Sequence, residues 1–284
     1  MKVSYYPGCS LEGTAIEYGE SAAAVCSALG IELDELEDWN CCGASSAHST
    51  DDFLSLALPA RDLSSADAKG LDLVVPCAAC YQRLKVAEKR LSQDPLPDFP
   101  YKGQIKVKHL LDLCSEEEIL QRVREGIKNP LSGLRVACYY GCLVVRPPKF
   151  TDAADFEDPQ NMDKLMNLAG AESVSWSYKT DCCGAGFTLT RPDIVRKLSG
   201  KILDMAVEAG AECIVTCCPM CQANLEGCQG ALSRETGRDY HVPTFYFTEL
   251  LGLALGLTGP EHWFKRHLVS TRKLLNAKGL LESD

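Results

Sequence analysis

The chain alternates short apolar runs with longer amphipathic segments. Runs rich in β-branched and aromatic residues predict strands at residues 3–6, 71–75, 134–139 and 213–216. Segments such as "TAIEYGESAAAVCSALG" (14–30) and "RPDIVRKLSGKILDMAVEAG" (191–210) have the periodicity of helices. Strands separated by helices form parallel sheets, so the pattern predicts an α/β fold with helices on the faces of each sheet.

The pattern also occurs twice. "KVSYYPGC" (2–9) corresponds to "RVACYYGC" (135–142), "CCG" at 41–43 to "CCG" at 182–184, and "LVVPCAAC" (73–80) to "IVTCCPMC" (214–221). The second and third landmarks are separated by 34 residues in both halves. The second half is longer only before its "CCG", where the proline-rich and acidic residues 146–161 indicate a surface loop. We therefore expect two pseudo-symmetric lobes, with domains at 1–130 and 131–284.

Four cysteines come directly after the predicted strands, at positions Cys9, Cys77, Cys142 and Cys218. In parallel α/β sheets the ligand-binding residues gather beyond the carboxyl ends of the strands. The loops are therefore expected to converge on two sites, one per lobe.

The composition narrows the chemistry of these sites. Sixteen cysteines in 284 residues indicate either a disulfide framework or metal ligation. The N-terminus has no apolar leader, and the longest apolar run, "LLGLALGL" (250–257), is too short to span a membrane. We therefore expect a cytoplasmic protein with reduced thiols, which favours metal over disulfides. A net charge of −10 argues against a nucleic-acid partner.

Each half supplies five cysteines in the order C, CC and CxxC. A structural zinc ion takes four ligands, usually from two CxxC-like hooks, and each half has one hook. Adjacent side chains point apart and close poorly on one ion, whereas they reach different metals of a polynuclear cluster. The following glycine allows the backbone to bend close to such a cluster. Zinc remains the alternative, because four of the five thiols suffice for one ion.

The doubled pattern "PGC…CCG…PCAAC" and "YGC…CCG…CCPMC" resembles the cysteine-rich CCG domain of the heterodisulfide reductase B subunit. The resemblance implies a disulfide reductase with two noncubane [4Fe-4S] clusters and no catalytic group beyond the cluster ligands. For the first cluster it implies the ligands Cys9, Cys41, Cys42, Cys77 and Cys80. For the second it implies Cys142, Cys182, Cys183, Cys218 and Cys221. The repeat selects Cys218 over its neighbour Cys217, because Cys218 has the CxxC spacing to Cys221.

No nucleotide or flavin motif and no ferredoxin-type cysteine run is present in the sequence, so a partner must deliver the electrons. The resemblance implies two such partners of heterodisulfide reductase, a ferredoxin-like iron-sulfur subunit (C-type) and a flavin subunit (A-type). The alternative function is electron relay in a respiratory or 2-hydroxy-acid oxidising complex. The basic segment "HWFKRHLVSTRKLL" (262–275) is either a docking surface for a partner or a solvated helix.

Other polar residues near the cysteines are candidates for substrate contacts. Arg146, Lys149 and Arg191 follow the second-half cysteines closely and would bind an anionic disulfide. His48, six residues past Cys42, is either a proton donor to a leaving thiolate or an ordinary polar residue. Six further cysteines lie outside the repeat and are expected to be small core residues. They are Cys26, Cys114, Cys138, Cys213, Cys217 and Cys228.

Overall fold

The computed structural model describes residues 1–44 and 46–281. Within them lie two four-stranded sheets in which all pairings are parallel. The first sheet contains β1 (Lys2–Tyr5), β2 (Glu32–Glu35), β3 (Leu73–Val75) and β4 (Val107–His109). The second contains β5 (Arg135–Tyr139), β6 (Glu172–Ser173), β7 (Cys213–Thr216) and β8 (Thr244–Tyr246). We call the parts built on these sheets the first lobe and the second lobe.

The two sheets have the same strand order. It is β2-β1-β3-β4 in the first lobe and β6-β5-β7-β8 in the second. Tyr5 lies opposite Val74 in the first sheet, and Tyr139 lies opposite Thr216 in the second. The predicted α/β class, with two parallel-sheet lobes flanked by helices, is therefore confirmed, while the exact domain boundary near residue 130 stays a prediction.

Helices connect the strands and cover both sheets. In the first lobe they are α1 (Cys9–Glu12), α2 (Ile16–Ala28), α3 (Ala47–Thr50), α4 (Asp52–Lys69), α5 (Ala78–Leu91), α6 (Leu110–Cys114) and α7 (Glu117–Gly126). In the second they are α8 (Pro148–Thr151), α9 (Asn161–Leu168), α10 (Pro192–Glu208), α11 (Pro219–Gly227), α12 (Gln229–Thr236), α13 (Phe247–Ala254), α14 (Pro260–Phe264) and α15 (Arg272–Ala277). A 3₁₀ turn at Ala185–Phe187 follows the second vicinal cysteine pair.

The central strands and the long helices agree with the sequence pattern, but the edge strands do not follow from it. All four predicted strands are present, and α2 and α10 lie inside the predicted helical segments. Strand β2 reads Glu-Leu-Asp-Glu and is partly exposed along its length. Such a short charged strand is typical of a sheet edge and lacks the apolar run that identifies a central strand.

The lobes pack through α2 of the first and α13 of the second. The rings of Tyr18 and Tyr246 stack with centroids 4.2 Å apart, and the hydroxyls of Ser21 and Thr248 lie 2.7 Å apart. Tyr18 Oη lies 3.1 Å from the carbonyl oxygen of Pro76 and 3.2 Å from that of Cys217. Because Pro76 and Cys217 precede the two CxxC hooks, one buried tyrosine holds both hooks in place.

The segment 262–275 is not a single solvated helix, which is one of its two interpretations from the sequence; its role in docking a partner stays a prediction. It is divided between α14 and α15, and Trp263, Phe264 and Leu275 are buried. The imidazole of His267 lies between two buried carboxylates, Glu226 on α11 and Glu249 on α13. The segment is thus a packed part of the second lobe. Over the described ranges, no helix combines the length and apolar character that a bilayer crossing requires.

Candidate metal centres

The loops beyond the carboxyl ends of the strands bring five cysteines together in each lobe. Three thiols of each group are buried, and two lie at its opening. The buried members are Cys42, Cys77 and Cys80 in the first lobe and Cys183, Cys218 and Cys221 in the second. The outer members are Cys9, Cys41, Cys142 and Cys182. Equivalent repeat positions therefore have similar depths, except that Cys142 is half-buried where Cys9 is exposed, and each group is open on one side.

In the second lobe the thiols contact one another and the adjacent backbone. Cys183 Sγ lies 3.6 Å from Cys221 Sγ, and the amide of Gly184 donates to Cys182 Sγ over 3.3 Å. The pKa of Cys182 is lowered to about 6, chiefly because the Cys142 thiol donates a hydrogen bond to it. The pKa of Cys218 is also lowered, whereas those of Cys142 and Cys221 are raised, so the thiols of the group share protons with one another.

The first lobe repeats this arrangement. The thiols of Cys41 and Cys80 donate to Cys42, and these hydrogen bonds place the pKa of Cys42 well below its usual range. Gly43 follows the vicinal pair with φ of +73°, and Gly184 follows the other pair with φ of +83°. Both glycines adopt the left-handed conformation that turns the backbone back toward the thiols.

The two thiol groups meet at the lobe interface. Cys77 and Cys218 are the first residues of the two CxxC hooks, and Tyr18 contacts the carbonyl oxygens of the residues directly before them. The nearby thiol of Cys218 is also the largest cause of the raised pKa of Cys77. Cys217 is fully buried, and burial raises its pKa.

Paired glycines and tyrosines shape each group. Gly8 has φ of +71°, and a Cβ there would lie 3.1 Å from Cys80 Sγ. Gly141 has φ of +68°, and its Cβ would lie 3.0 Å from Cys221 Sγ. The hydroxyl of Tyr6 donates to the carbonyl before Cys41 over 2.8 Å, and that of Tyr139 to the carbonyl before Cys182 over 2.6 Å. Both lobes therefore leave space beside the hook and fix the vicinal pair.

A buried ion pair adds support in the second lobe. Asp163 accepts a 2.6 Å hydrogen bond from the Tyr140 hydroxyl and pairs with Lys179 at 3.2 Å. Tyr140 lies two residues before Cys142, and Lys179 lies three before Cys182. The pair thus joins the two chain segments that carry the outer thiols.

Five thiols per lobe, with no acidic or amide ligand among them, match the donor chemistry of an iron-sulfur cluster. The space beside Gly8 and Gly141, which any larger residue would fill, also suits a polynuclear group. The residues present therefore fit an iron-sulfur cluster.

The cysteines outside the repeat are buried in the core. Burial raises the pKa of each of them, to about 12 for Cys26 and about 11 for Cys228. The others with raised pKa are Cys114, Cys138, Cys213 and Cys217. Buried neutral thiols of this kind behave as small apolar residues.

A cleft of about 380 Å³ lies between the lobes and contains the thiols of the second group. The first lobe contributes Arg83, His48 and Ala78 to its lining, and the second contributes Leu143 and Phe187. The three cations selected from sequence lie elsewhere. Arg146 donates to Thr180 over 3.0 Å, Lys149 lies over the Phe150 ring at 4.9 Å, and Arg191 pairs with Asp193 at 2.8 Å.

Arg83 is the cleft residue that sequence reasoning missed. It lies on α5 three residues after Cys80, which places both on one helix face. The same spacing is present in the sequence, but the predicted substrate-binding cations all follow cysteines of the second half. His48, the candidate proton donor, does line the cleft.

The chain was compared with known proteins. The cysteine-rich CCG domain model matches residues 3–85 and 136–226, which contain all ten repeat cysteines. The chain belongs to the CCG cysteine-rich domain family. Within this CCG family it is 30% identical over 278 residues to the 8-methylmenaquinol:fumarate reductase membrane anchor subunit of Wolinella succinogenes. That match covers 95% of this chain and 98% of the relative.

Other CCG relatives are heterodisulfide reductase subunits. The B subunit of ferredoxin:CoB-CoM heterodisulfide reductase from Methanosarcina mazei is 28% identical, with 96% of both chains covered. A protein of Archaeoglobus profundus that is named as similar to the heterodisulfide reductase B subunit is 28% identical over 90% of this chain and 91% of the relative. The resemblance drawn from the cysteine pattern is therefore confirmed.

One solved structure has a similar fold. A hypothetical protein from Helicobacter pylori superposes with a TM-score of 0.73 at 12% sequence identity. The match covers 95% of this chain and 52% of that one. At this identity the likeness concerns the fold alone.

Proposed function

We propose that this chain is the iron-sulfur subunit of a heterodisulfide reductase-type complex, and that it reduces a disulfide to two thiols. The observation that carries the proposal is that the two equivalent five-thiol groups lie side by side, with both CxxC hooks held by Tyr18, beside one cleft between the lobes. Relatives named as heterodisulfide reductase B subunits, which align over nearly the whole chain, support an oxidoreductase role.

In this proposal each group holds one noncubane [4Fe-4S] cluster. The first ligand set is Cys9, Cys41, Cys42, Cys77 and Cys80. The second is Cys142, Cys182, Cys183, Cys218 and Cys221. When bound, the clusters supply the electrons at a site where a disulfide can approach. The chain itself holds the clusters side by side, limits access of water through the buried inner thiols, and binds the substrate in the cleft.

The overall reaction takes one disulfide, two electrons and two protons to two thiols. The electrons come from a partner, since the chain carries no flavin or nicotinamide motif. We propose a C-type, ferredoxin-like iron-sulfur subunit as the immediate donor, with an A-type flavin subunit behind it. Because the sixteen cysteines are free thiols, we place the working complex in the cytoplasm, where thiols stay reduced.

A second candidate is electron relay without substrate chemistry. The Wolinella succinogenes relative supports it, because its name describes a subunit of a fumarate reductase. A relay needs the two adjacent groups but not the cleft. The two functions are therefore separated by whether the cleft binds and consumes a disulfide.

The direct test is reduction of disulfides by the anaerobically purified complex with reduced viologen dye as electron donor. We expect oxidation of the dye to depend on an added disulfide and to release two thiols per disulfide. A complex that oxidises the dye with a quinone or fumarate partner, and turns over no disulfide in a broad panel, would instead establish the relay function.

His48 gives a more specific prediction about the proton. Its imidazole lines the cleft near Arg83, with Nε2 3.5 Å from the guanidinium Nη2. We propose that it donates a proton to a leaving thiolate, so His48→Gln should lower kcat about 100-fold. The iron content should not change. His241→Gln, which alters an imidazole outside the cleft, is the control. Equal kcat for both variants would exclude His48 as the donor.

A further inference from the structure

A fully buried histidine lies beside the CxxC hook of the first lobe. His109 is the last residue of β4 and lies opposite Val75, two residues before Cys77. Its side chain has no exposed surface. Its ring makes an edge-to-face contact with that of Tyr81, with centroids 5.6 Å apart, and Tyr81 directly follows Cys80. In the proposed function this imidazole is neither a cluster ligand nor a proton donor.

One nitrogen of the His109 imidazole caps a helix, and the other has no partner. Nδ1 accepts a hydrogen bond from the amide of Leu111 over 3.1 Å, at the start of α6. Burial lowers the pKa of His109 to about 4, so the ring is neutral at pH 7. Because Nδ1 accepts, the single proton of the neutral ring is on Nε2. Among residues 1–44 and 46–281, no group forms a hydrogen bond with this buried Nε2.

The imidazole lies at the place where the two hooks come together. We call the peptide bonds directly before Cys77 and Cys218 the hook junction. Their carbonyls, which belong to Pro76 and Cys217, both act on the His109 ring, as does the thiol of Cys218. A side chain of the first lobe therefore reaches the hooks of both lobes.

Tyr18 approaches the hook junction as well, but the second lobe contributes no second imidazole. Tyr18 Oη lies 3.1 Å and 3.2 Å from the two carbonyl oxygens of the junction. Tyr246, the last residue of β8, takes the place in the second lobe that His109 has in the first. Its ring stacks on that of Tyr18, and its hydroxyl lies 3.5 Å from Gln222 Oε1. The junction thus has one imidazole N–H, and that N–H is unpaired.

A buried donor without an acceptor costs free energy and is uncommon in folded proteins. Its presence is explained if the metal-loaded junction supplies an acceptor. Thiolates and cluster sulfurs are electron-rich, and hydrogen bonds to the sulfurs are among the factors that set the reduction potential of an iron-sulfur cluster. A donor stabilises the reduced form, which carries one more negative charge. An N–H at this place therefore raises the potential.

We infer that His109 sets the reduction potential of the two metal groups, by presenting its Nε2–H to the hook junction. His109 is a positioning residue in this role and does not contact the substrate. The inference rests on the proposed function for the iron-sulfur clusters, but it applies to disulfide reduction and to electron relay alike.

Two variants that share the loss of the Nε2–H test the inference. His109→Asn keeps a side-chain acceptor for the first turn of α6, and His109→Phe keeps an aromatic ring against Tyr81. Redox titration of the anaerobic, iron-loaded chain, followed by its visible and electron paramagnetic resonance spectra, measures the midpoint potentials. Both variants should retain the wild-type iron content. Their midpoint potentials should fall by about 59 mV, which is a tenfold change in the equilibrium constant of a one-electron reduction.

Tyr246→Phe is the matched control, because it removes a polar group at the equivalent position of the second lobe and keeps the ring stacked on Tyr18. It should leave the midpoint potentials unchanged. An equal shift in Tyr246→Phe, or a shift in only one of two iron-loaded His109 variants, would overturn the inference, because packing or capping would then explain the effect. If His109→Phe does not fold, wild-type potentials in iron-loaded His109→Asn would overturn it.

The outcomes separate this inference from the proposed function. Unchanged potentials in both iron-loaded His109 variants, with disulfide turnover by the wild type, would overturn the tuning role alone. Lowered potentials in both variants, with no turnover of any disulfide by the wild type, would support the tuning role and contradict disulfide reduction. A chain that binds zinc in place of iron would overturn both.

Discussion

Gly141→Ala is expected to remove the metal of the second group and leave that of the first. The new Cβ would lie 3.0 Å from Cys221 Sγ, so the thiol must move from its place in the group. The backbone also has φ of +68°, where a side chain costs about 1–2 kcal/mol. Iron content should fall by about half, because one of the two clusters is lost.

Gly8→Ala is the reciprocal variant, since its Cβ would lie 3.1 Å from Cys80 Sγ in the first group. Gly70→Ala and Gly133→Ala are the controls. They have φ of +68° and +77° but no heavy atom within 4 Å of the new Cβ. They carry the backbone strain without the contact to a thiol and should retain full iron content. Loss of iron in the control variants, or retention in Gly8→Ala and Gly141→Ala, would show that these glycines do not make room for a metal centre.

His267→Gln should lower the free energy of unfolding more than any other substitution proposed for this protein. His267 Nδ1 lies 2.8 Å from Glu226 and Nε2 lies 2.9 Å from Glu249, and all three side chains are buried. A histidine between two carboxylates donates from both nitrogens and is an imidazolium. Removing it leaves two buried carboxylates without a cation, and the free energy of unfolding should fall by about 3–5 kcal/mol.

The same contact predicts a pH dependence. Burial alone would lower the pKa of His267, but Glu249 and Glu226 raise it to about 11. The stability that His267 gains from its raised pKa is fully present below about pH 6.5, which is the pKa of a histidine in the unfolded chain. It is lost as the pH rises toward 11, the pKa of His267 in the folded chain. The difference in unfolding free energy between wild type and His267→Gln should therefore shrink from pH 6 to pH 9.

Chemical denaturation under anaerobic conditions measures both effects. His262→Gln is the control, because His262 is an exposed histidine in the same segment (262–275). Its imidazole lies 3.8 Å from Glu20. It should change stability by less than about 0.5 kcal/mol. Similar losses in both variants, or a difference that grows with pH, would contradict a buried imidazolium at His267.

Sequence predicted the parts of the fold that depend on local pattern. The central strands are apolar because helices cover both faces, and the cysteines that follow them lie at the carboxyl edge of each sheet. The repeat also located both thiol groups. Strand β2 was not predicted, because its residues, Glu-Leu-Asp-Glu, lie at the edge of the first sheet, where no apolar run is needed.

The cleft could not be predicted in the same way. Its lining depends on how α5 faces the second lobe, which the order of residues does not specify. Closeness in sequence to cysteines favours Arg146, Lys149 and Arg191. Their contacts, however, are with Thr180, Phe150 and Asp193, outside the cleft lining.

The buried contact of His267 with Glu226 and Glu249 could not be predicted from the sequence either. Residues 262–275 are basic and partly apolar, and this composition suits a solvated helix as well as a packed segment. The deciding factor is tertiary, because Glu226 and Glu249 come from two other helices and are buried only when the segment covers them.

The most direct test of the account is metal analysis of the anaerobically purified protein together with its visible absorption spectrum. If each five-thiol group holds a four-iron cluster, the protein should be brown and contain about eight iron atoms and a similar amount of acid-labile sulfide per chain. A colourless protein with one or two zinc ions per chain and no iron would contradict the account.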